Sequence, residues 1–424
     1  MRFYLLCCVC LLSLTPGFAQ QILTIPAASS ENNASGARAI DSLFRSYIDN
    51  KFIGGATAIV ARNGKIIYYN GLGYHDLQSR KPIEKTDIFR IASQTKAVTS
   101  VAIMMLYDEG KLQLTDPVSK FLPEYKNQQV LAKFNASDTT YTTVPAKRDI
   151  TILDLMTHSS GIGYAQIGSS ESNAIYAKSG IPGGIGVYNI SLAEKMRLLG
   201  KLPLLHQPGE RWTYGLNMDL MGYLVEVISG MDLDRFFRER IFNPLGMKDT
   251  YFYLPVEKYG RLVSLNTEDS TGHVLKAPAS MNLNGVVMAD YPASAGTYFS
   301  GGAGLSSTAF DYAIFLQMLL NKGEYNGKRL LKPATVDLMT TDQFAGLDWP
   351  DMRVGLGFAL YTSKTSARSP VSPGSYEWGG MFSSTYWVDP KEKIVAQVFV
   401  NQYPHTHEEI HEKFKELVYK SLIR

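Results

Sequence analysis

The chain of 424 residues holds three cysteines, and all of them (Cys7, Cys8 and Cys10) lie at its extreme N-terminus. Beyond Cys10 there is no thiol, so the remainder forms no disulfide and offers no thiolate nucleophile, and its stability must come from a packed core. No run of five Lys or Arg occurs and the formal net charge is +3, which excludes the electrostatic footprint of a nucleic-acid or anionic-membrane binder. Past the N-terminus no apolar run approaches the ~20 residues that span a bilayer. There is no Gly-x-Ser-x-Gly pentapeptide, and hence no strained strand-to-helix elbow of the kind that carries a serine in α/β-hydrolases. Gly183-Gly184-x-Gly186 and Gly301-Gly302-x-Gly304 lack both the strand-then-helix setting and a following Lys-Ser/Thr, which argues against nucleotide binding.

What is present begins with Arg2, an apolar run from Phe3 to Leu14, and Pro16-Gly17-Phe18-Ala19. A basic start, a short apolar stretch and small residues before the cut read as a secretory signal cleaved after Ala19, so the mature protein is expected in a periplasm or outside the cell. Residues 20–36 read as a loose polar leader. With 45% apolar residues, 25 Tyr and 19 Phe, the rest can bury a sizeable core in one large or two moderate domains.

Periodicity sketches the architecture. Ile40, Leu43, Phe44, Tyr47 and Ile48 predict a first helix. Residues 56–61 and 65–69 are strand-like, and Asn63-Gly64 between them is a hairpin signal. Val98, Val101, Ala102, Met105 and Leu106 mark one face of a helix over 95–109 that Gly110 ends. Helices are predicted over 216–229 and 310–320 within a helix- and loop-rich middle. Strands return at 386–388 and 394–400, and Ile410, Phe414, Leu417, Val418 and Leu422 make a closing amphipathic helix. Strands at both ends with helices between them imply an α/β fold whose antiparallel sheet is assembled from the two termini. The expected division is a sheet subdomain over about 37–90 and 300–424 and an inserted helical one over about 91–299.

The sharpest chemical feature is Ser93-Gln94-Thr95-Lys96, placed where the long helix should begin. Residues three apart share a helix face, with Cβ atoms ~5–6 Å apart. A serine hydroxyl needs a base to become a nucleophile, and a lysine one turn away can serve or can hold a neighbouring base ionised. The helix start adds backbone N–H groups that favour developing negative charge. Alone, a Ser-x-x-Lys match is expected by chance in a chain of this length and is equally a cap followed by a solvated lysine.

Its surroundings are more specific. Residues 86–96 together with 109–118 (EGKLQLTDPV) resemble the nucleophile region of serine β-lactamase-like proteins, a group that includes penicillin-binding proteins, class C β-lactamases and family VIII carboxylesterases. The resemblance continues in order through residues 155–162 (LMTHSSGI), 208–214 (PGERWTY), 243–250 (NPLGMKDT) and 300–308 (SGGAGLSST), and so covers about residues 38 to 422. It implies a β-lactamase-like serine hydrolase in which Ser93 is the nucleophile and Lys96 and Tyr214 manage the proton. A lysine cation favours the phenolate of a tyrosine, whose free pKa is ~10, which is the chemical reason to place both in one site.

Two departures from the family pattern point toward esters. The third place of Tyr-x-Asn is Leu216, and Asn217, one residue late, is rotated by ~100° on a helix and should face elsewhere. The place of Lys-Thr-Gly is taken by Trp378-Gly379-Gly380, so the lysine that holds a substrate carboxylate is an uncharged indole. Similar substitutions occur in some family VIII esterases. Gly379 and Gly380 let the strand approach the acyl carbonyl, and the resemblance places the oxyanion between the backbone N–H groups of Ser93 and Met381. The expected activity is cleavage of small-molecule esters with no cofactor or metal. An acyltransferase, a β-lactamase or D-alanyl peptidase, and a catalytically silent binding protein are the alternatives. His158 is expected to support a loop, and His405, His407 and His411 to sit at a solvated helix start rather than hold a metal. Trp212, Trp349 and Trp378 are candidates to line the cleft. Asn33, Asn135 and Asn189 are formal glycosylation acceptors.

Overall fold

The segments 55–62 and 394–399 are nearly continuous apolar runs, which is the pattern of strands buried on both faces. In the structure, a computed structural model describing residues 23–24, 31–186, 189–282, 286–344, 351 and 353–423, they are neighbours at the centre of one antiparallel sheet. The strands of this sheet are β1 (Gly55–Arg62), β2 (Lys65–Asp76), β3 (Lys81–Pro82), β4 (Arg353–Val354), β5 (Ala359–Leu360), β6 (Tyr376–Gly380), β7 (Ser384–Asp389) and β8 (Ile394–Phe399). Their spatial order is β4-β5-β6-β7-β8-β1-β2-β3, so the sheet is indeed built from both ends of the chain. The β1–β2 hairpin turns at Asn63 and Gly64, with φ of 53° and 73°, the left-handed pair that a two-residue turn requires.

Alternation distributes the two cores. On β1, Ala56, Ala58 and Val60 face helices α1 (Glu31–Asp49) and α5 (Glu409–Leu417) together with Ile40, Phe44, Ile410 and Phe414. Ile59 and Ala61 face the other way, into the larger core shared with helices α2 (Thr95–Asp108), α3 (Asn217–Ser229) and α4 (Ala309–Leu320). Each Val, Ile or Phe side chain among them contributes roughly 1.5–3 kcal/mol when fully removed from water. Trp387 and Phe414 meet edge to face at 5.6 Å and close the terminal layer.

Several expectations are adjusted. Helix α2 is not amphipathic: every residue from Thr95 to Leu106 is buried, because helices and sheet surround it on all sides. The first helix reaches back to Glu31, into the stretch read as leader. Thr24 joins the edge of β2 through Thr24 N to Gly64 O (3.0 Å) and Ile66 N to Thr24 O (2.9 Å), and Leu23 is buried beside it. The middle of the chain also carries two-stranded ribbons, among them Gln129–Asn135 with Thr140–Pro145. The second strand of that ribbon is exposed throughout, so it shows no buried-face alternation to read. The secretory-signal reading, with its cysteines, and Trp349 lie outside the described residues. No described helix is long and apolar enough to cross a membrane.

Candidate active site

Ser93 does not lie on α2 itself but in a 3-10 turn, Ala92–Gln94, that leads into it. Ala92 has a φ of 42°, in the region that non-glycine residues adopt at a cost of ~1–2 kcal/mol. Bonds on both sides hold that conformation: Thr95 Oγ1 donates to Ala92 O (2.7 Å), Ile91 N to Leu305 O (3.1 Å), and Tyr312 OH to Gln94 O (2.8 Å). The tight turn keeps Ser93 and Lys96 adjacent. Lys96 Nζ donates to Ser93 Oγ (3.1 Å), to Tyr164 OH (3.2 Å) and to Gly302 O (2.7 Å), and the side chain is buried. Those three partners match the three donors of an ammonium.

Tyr214 OH lies 2.8 Å from Ser93 Oγ, within reach of a proton passing in either direction. Its ring packs over Lys96 Nζ at 4.7 Å and stacks on Trp212 at 5.6 Å. The loop that carries it is pressed against residues 162–163. A Cβ on Gly215 would lie 2.0 Å from Ile162 O, so only glycine permits the approach. Leu216 is buried, and Asn217 points away from the serine as its rotation predicts. Asn217 receives Ser160 Oγ at 2.5 Å and contacts His158 Nδ1 at 2.9 Å. His158 is buried against Tyr214 (5.0 Å between rings), and burial with the nearby Lys96 charge pulls its pKa down to about 3. A neutral imidazole bonded to Asn217 holds the Tyr214 loop.

Opposite the helices, β6 presents Trp378, Gly379 and Gly380. β5 pairs with β6 only at Leu360–Tyr376 and Ala359–Glu377, so among the described residues the outer edge beyond Glu377 has no strand beside it. The two glycines differ. A Cβ on Gly380 would sit 2.4 Å from Ile91 O, so Gly380 lets the strand close onto the nucleophile turn. On Gly379 it would meet only Ser384 O, at 3.3 Å. Ser93, Tyr214, Trp378, Gly379, Gly380 and Met381 all line one cavity of about 890 Å³. Trp378 lies 6.1 Å from Tyr214, while Trp212 lines a neighbouring cavity instead.

The sequence reasoning missed three members of this site. Tyr164 lies just past the 155–162 motif, and burial drives its pKa well above the ordinary tyrosine value, so it is a neutral hydroxyl beside Lys96 and Tyr214. Gly302 contributes a carbonyl oxygen, which no side-chain pattern reveals. Asp219 is buried, and desolvation pushes its carboxyl up to about 6; Tyr298 OH donates to it at 3.3 Å. His405 is buried and His411 half-buried rather than fully solvated: both flank Ser383 Oγ, at 2.6 and 2.9 Å, beside the β6–β7 turn. Burial pulls their pKa values down to about 4 and about 3. Among the described residues no group of three or more His, Cys, Asp or Glu has metal-binding geometry.

With this geometry in place, comparison with known proteins gives the family. Residues 40–419 match the beta-lactamase family, and the chain belongs to it. Protein Rv1367c of Mycobacterium tuberculosis is 32% identical over 376 residues, covering 85% of this chain and 88% of that protein. Esterase EstB of Burkholderia gladioli is 29% identical over 377 residues, covering 86% and 90%. Among solved structures, EstCE1, described as a hydrolase with promiscuous acyltransferase activity, superposes with a TM-score of 0.79 at 26% identity, covering 92% of this chain and all of that one. The α/β fold with its antiparallel sheet from both termini is the fold of that relative.

Proposed function

We propose that this beta-lactamase-family serine hydrolase cleaves carboxylic esters through an acyl-enzyme on Ser93. The observation that carries the reading is Ser93 Oγ held between Lys96 Nζ at 3.1 Å and Tyr214 OH at 2.8 Å on the wall of an open cavity. Ser93 Oγ attacks the ester carbonyl, its proton passes to the Tyr214–Lys96 pair, and that proton then leaves with the alcohol as the carbonyl–oxygen bond breaks. The backbone N–H groups of Ser93 and Met381 receive the oxyanion. Water, deprotonated by the same pair, releases the acid and frees Ser93. Trp378 where related enzymes carry a carboxylate-binding lysine, and the esterase activity named for EstB, both favour esters over β-lactams or peptides. The protein acts after export, its N-terminal signal removed near Ala19.

The test is hydrolysis of p-nitrophenyl butyrate by wild type and by Ser93→Ala. Turnover that falls by roughly a thousandfold or more in the variant is expected, with loss of fluorophosphonate labelling. Equal background rates would overturn the reading. A second outcome, acyl transfer, is favoured by the acyltransferase activity named for EstCE1. Added alcohol acceptors that divert the acyl group from water would reveal it.

A further inference from the structure

The cavity does not end at the nucleophile. It passes the open edge of β6 and reaches the start of α5, where Glu377, Glu408, Glu409 and Glu412 line it against one ammonium, Lys415. Resting on the ester-hydrolase reading, we propose that this distal end selects esters bearing an ammonium-type cation and disfavours those bearing a carboxylate.

The charge balance supports this chemistry. Lys415 is 3% exposed, and its Nζ is occupied by Glu377 Oε2 (2.7 Å), Glu412 Oε1 (2.9 Å) and Tyr361 OH (3.0 Å). With all three donors used, it has none for a substrate anion. Glu409 is partly compensated, accepting from Tyr47 OH at 2.6 Å with Lys413 at 3.8 Å. Glu412 is exposed beyond its bond to Lys415, and Glu408 is exposed and lines the cavity. His411 faces the same space as a neutral ring, because burial pulls its pKa down to about 3. The negative surplus is local, since the whole chain carries a formal net charge of +3.

Two further observations point to a bound molecule along this path. The residues that line the cavity together with Ser93 and the carboxylates include Trp378 and Tyr403, and aromatic rings attract cations by about 0.5–2 kcal/mol. Ser384 is 4% exposed, is among the residues that line the same cavity, and its Oγ has no hydrogen-bond partner among the described residues, an unmet hydroxyl at the cavity wall. Glu377 lies three residues along β6 from Gly380, about 10 Å of backbone at ~3.3 Å per residue, so the acidic end of the cavity is set well away from the nucleophile.

Matched esters test the proposal for either orientation of substrate. Choline butyrate is compared with its neutral carbon isostere. The p-nitrophenyl ester of hexanoic acid is compared with its terminal trimethylammonium and terminal carboxylate derivatives. In at least one set the cationic member should exceed its neutral partner in kcat/KM by about threefold to thirtyfold, carried by KM. The carboxylate member should fall below the neutral one. The double substitution Glu408→Gln/Glu412→Gln, and rising salt, should bring the cationic-to-neutral ratio toward one. Calorimetry on Ser93→Ala, with choline and its carbon isostere as titrants, reads binding without turnover, and tighter binding of choline supports the proposal even where no ester is cleaved. Hydrolysis of p-nitrophenyl butyrate with no cationic preference in either set, or equal binding of the two titrants, overturns it. Failure to hydrolyse any ester, with choline still preferred, would overturn the esterase reading alone.

Discussion

On the helix wall of the cavity Lys96 has three oxygen partners and Ser93 Oγ has two, all within 3.2 Å; on the strand wall the outer edge of Trp378–Gly380 has no strand beside it among the described residues. The first wall is buried, cross-braced by Tyr164, His158 and Asn217, and tolerates little displacement. The second is open and carries the side chains that, on the proposed function, would meet the distal part of a substrate. Rate resides where geometry is over-determined, and selectivity resides where the protein leaves bonds for the ligand to make. On the proposed function, one molecule can therefore keep its nucleophile while the strand beside it carries Trp378 where the family resemblance places a lysine.

The largest effect that sharpens this contrast after loss of Ser93 is Tyr214→Phe. The variant keeps the ring stack on Trp212 and removes the only oxygen it brings to Ser93, so kcat should fall by about a hundredfold to ten-thousandfold with little change in melting temperature. A rise in KM alone, with kcat unchanged, would place Tyr214 on the recognition side instead. Next come the two glycines. Gly380→Ala sets a methyl 2.4 Å from Ile91 O and should cost about 1–3 kcal/mol in urea unfolding, with activity falling alongside. Gly379→Ala meets only a 3.3 Å contact and should alter KM with stability nearly unchanged. Equal stability losses would erase the distinction between a glycine needed by the protein and one left open for the substrate.

The smallest effect separates the walls by pH. His411, behind the strand wall, has its folded-state pKa pulled below the unfolded value of ~6.5 to about 3. The unfolded chain then binds the proton that the folded chain refuses, so this contribution is intact above ~6.5 and is lost as pH falls toward 3. Asp219, on the helix wall, has its pKa raised to about 6 and acts in the opposite sense: its proton is kept on folding, and stability falls as pH rises through the interval from ~3.8 to 6. In His411→Gln the stability difference from wild type should move in the variant's favour by up to about 2 kcal/mol between pH 7 and pH 5, read from denaturation midpoints at both pH values. No change would mean that His411 is protonated in the folded protein.

Much of this was legible in the residues because it is periodic or local. The two buried central strands, the Asn63-Gly64 hairpin and the helix after Ser93 follow from patterns a few residues long. Lys96 and Ser93 were legible for the same reason, their spacing being set by one turn of backbone. What stayed hidden depends on contacts across the fold. Tyr164 and Asp219 look like ordinary residues until burial and neighbours give them their character, and Gly302 acts through a backbone oxygen. His405 and His411 sit among glutamates and read as surface, yet both bond Ser383 Oγ in the β6–β7 turn. The full burial of α2 was missed because a helix enclosed on all sides shows no amphipathic stripe.

The pairing of β1 with β8, Thr57 opposite Phe399, joins two stretches separated by most of the chain. A ribosome making this polypeptide delivers β1 long before its partner exists, so the central seam of the sheet can be sewn only after residue 399 has emerged. Until then β1 presents an unpaired apolar edge, the kind of surface that chaperones shield and that aggregation exploits. Loss of the segment 394–423 would therefore remove a strand from the middle of the sheet rather than from its edge.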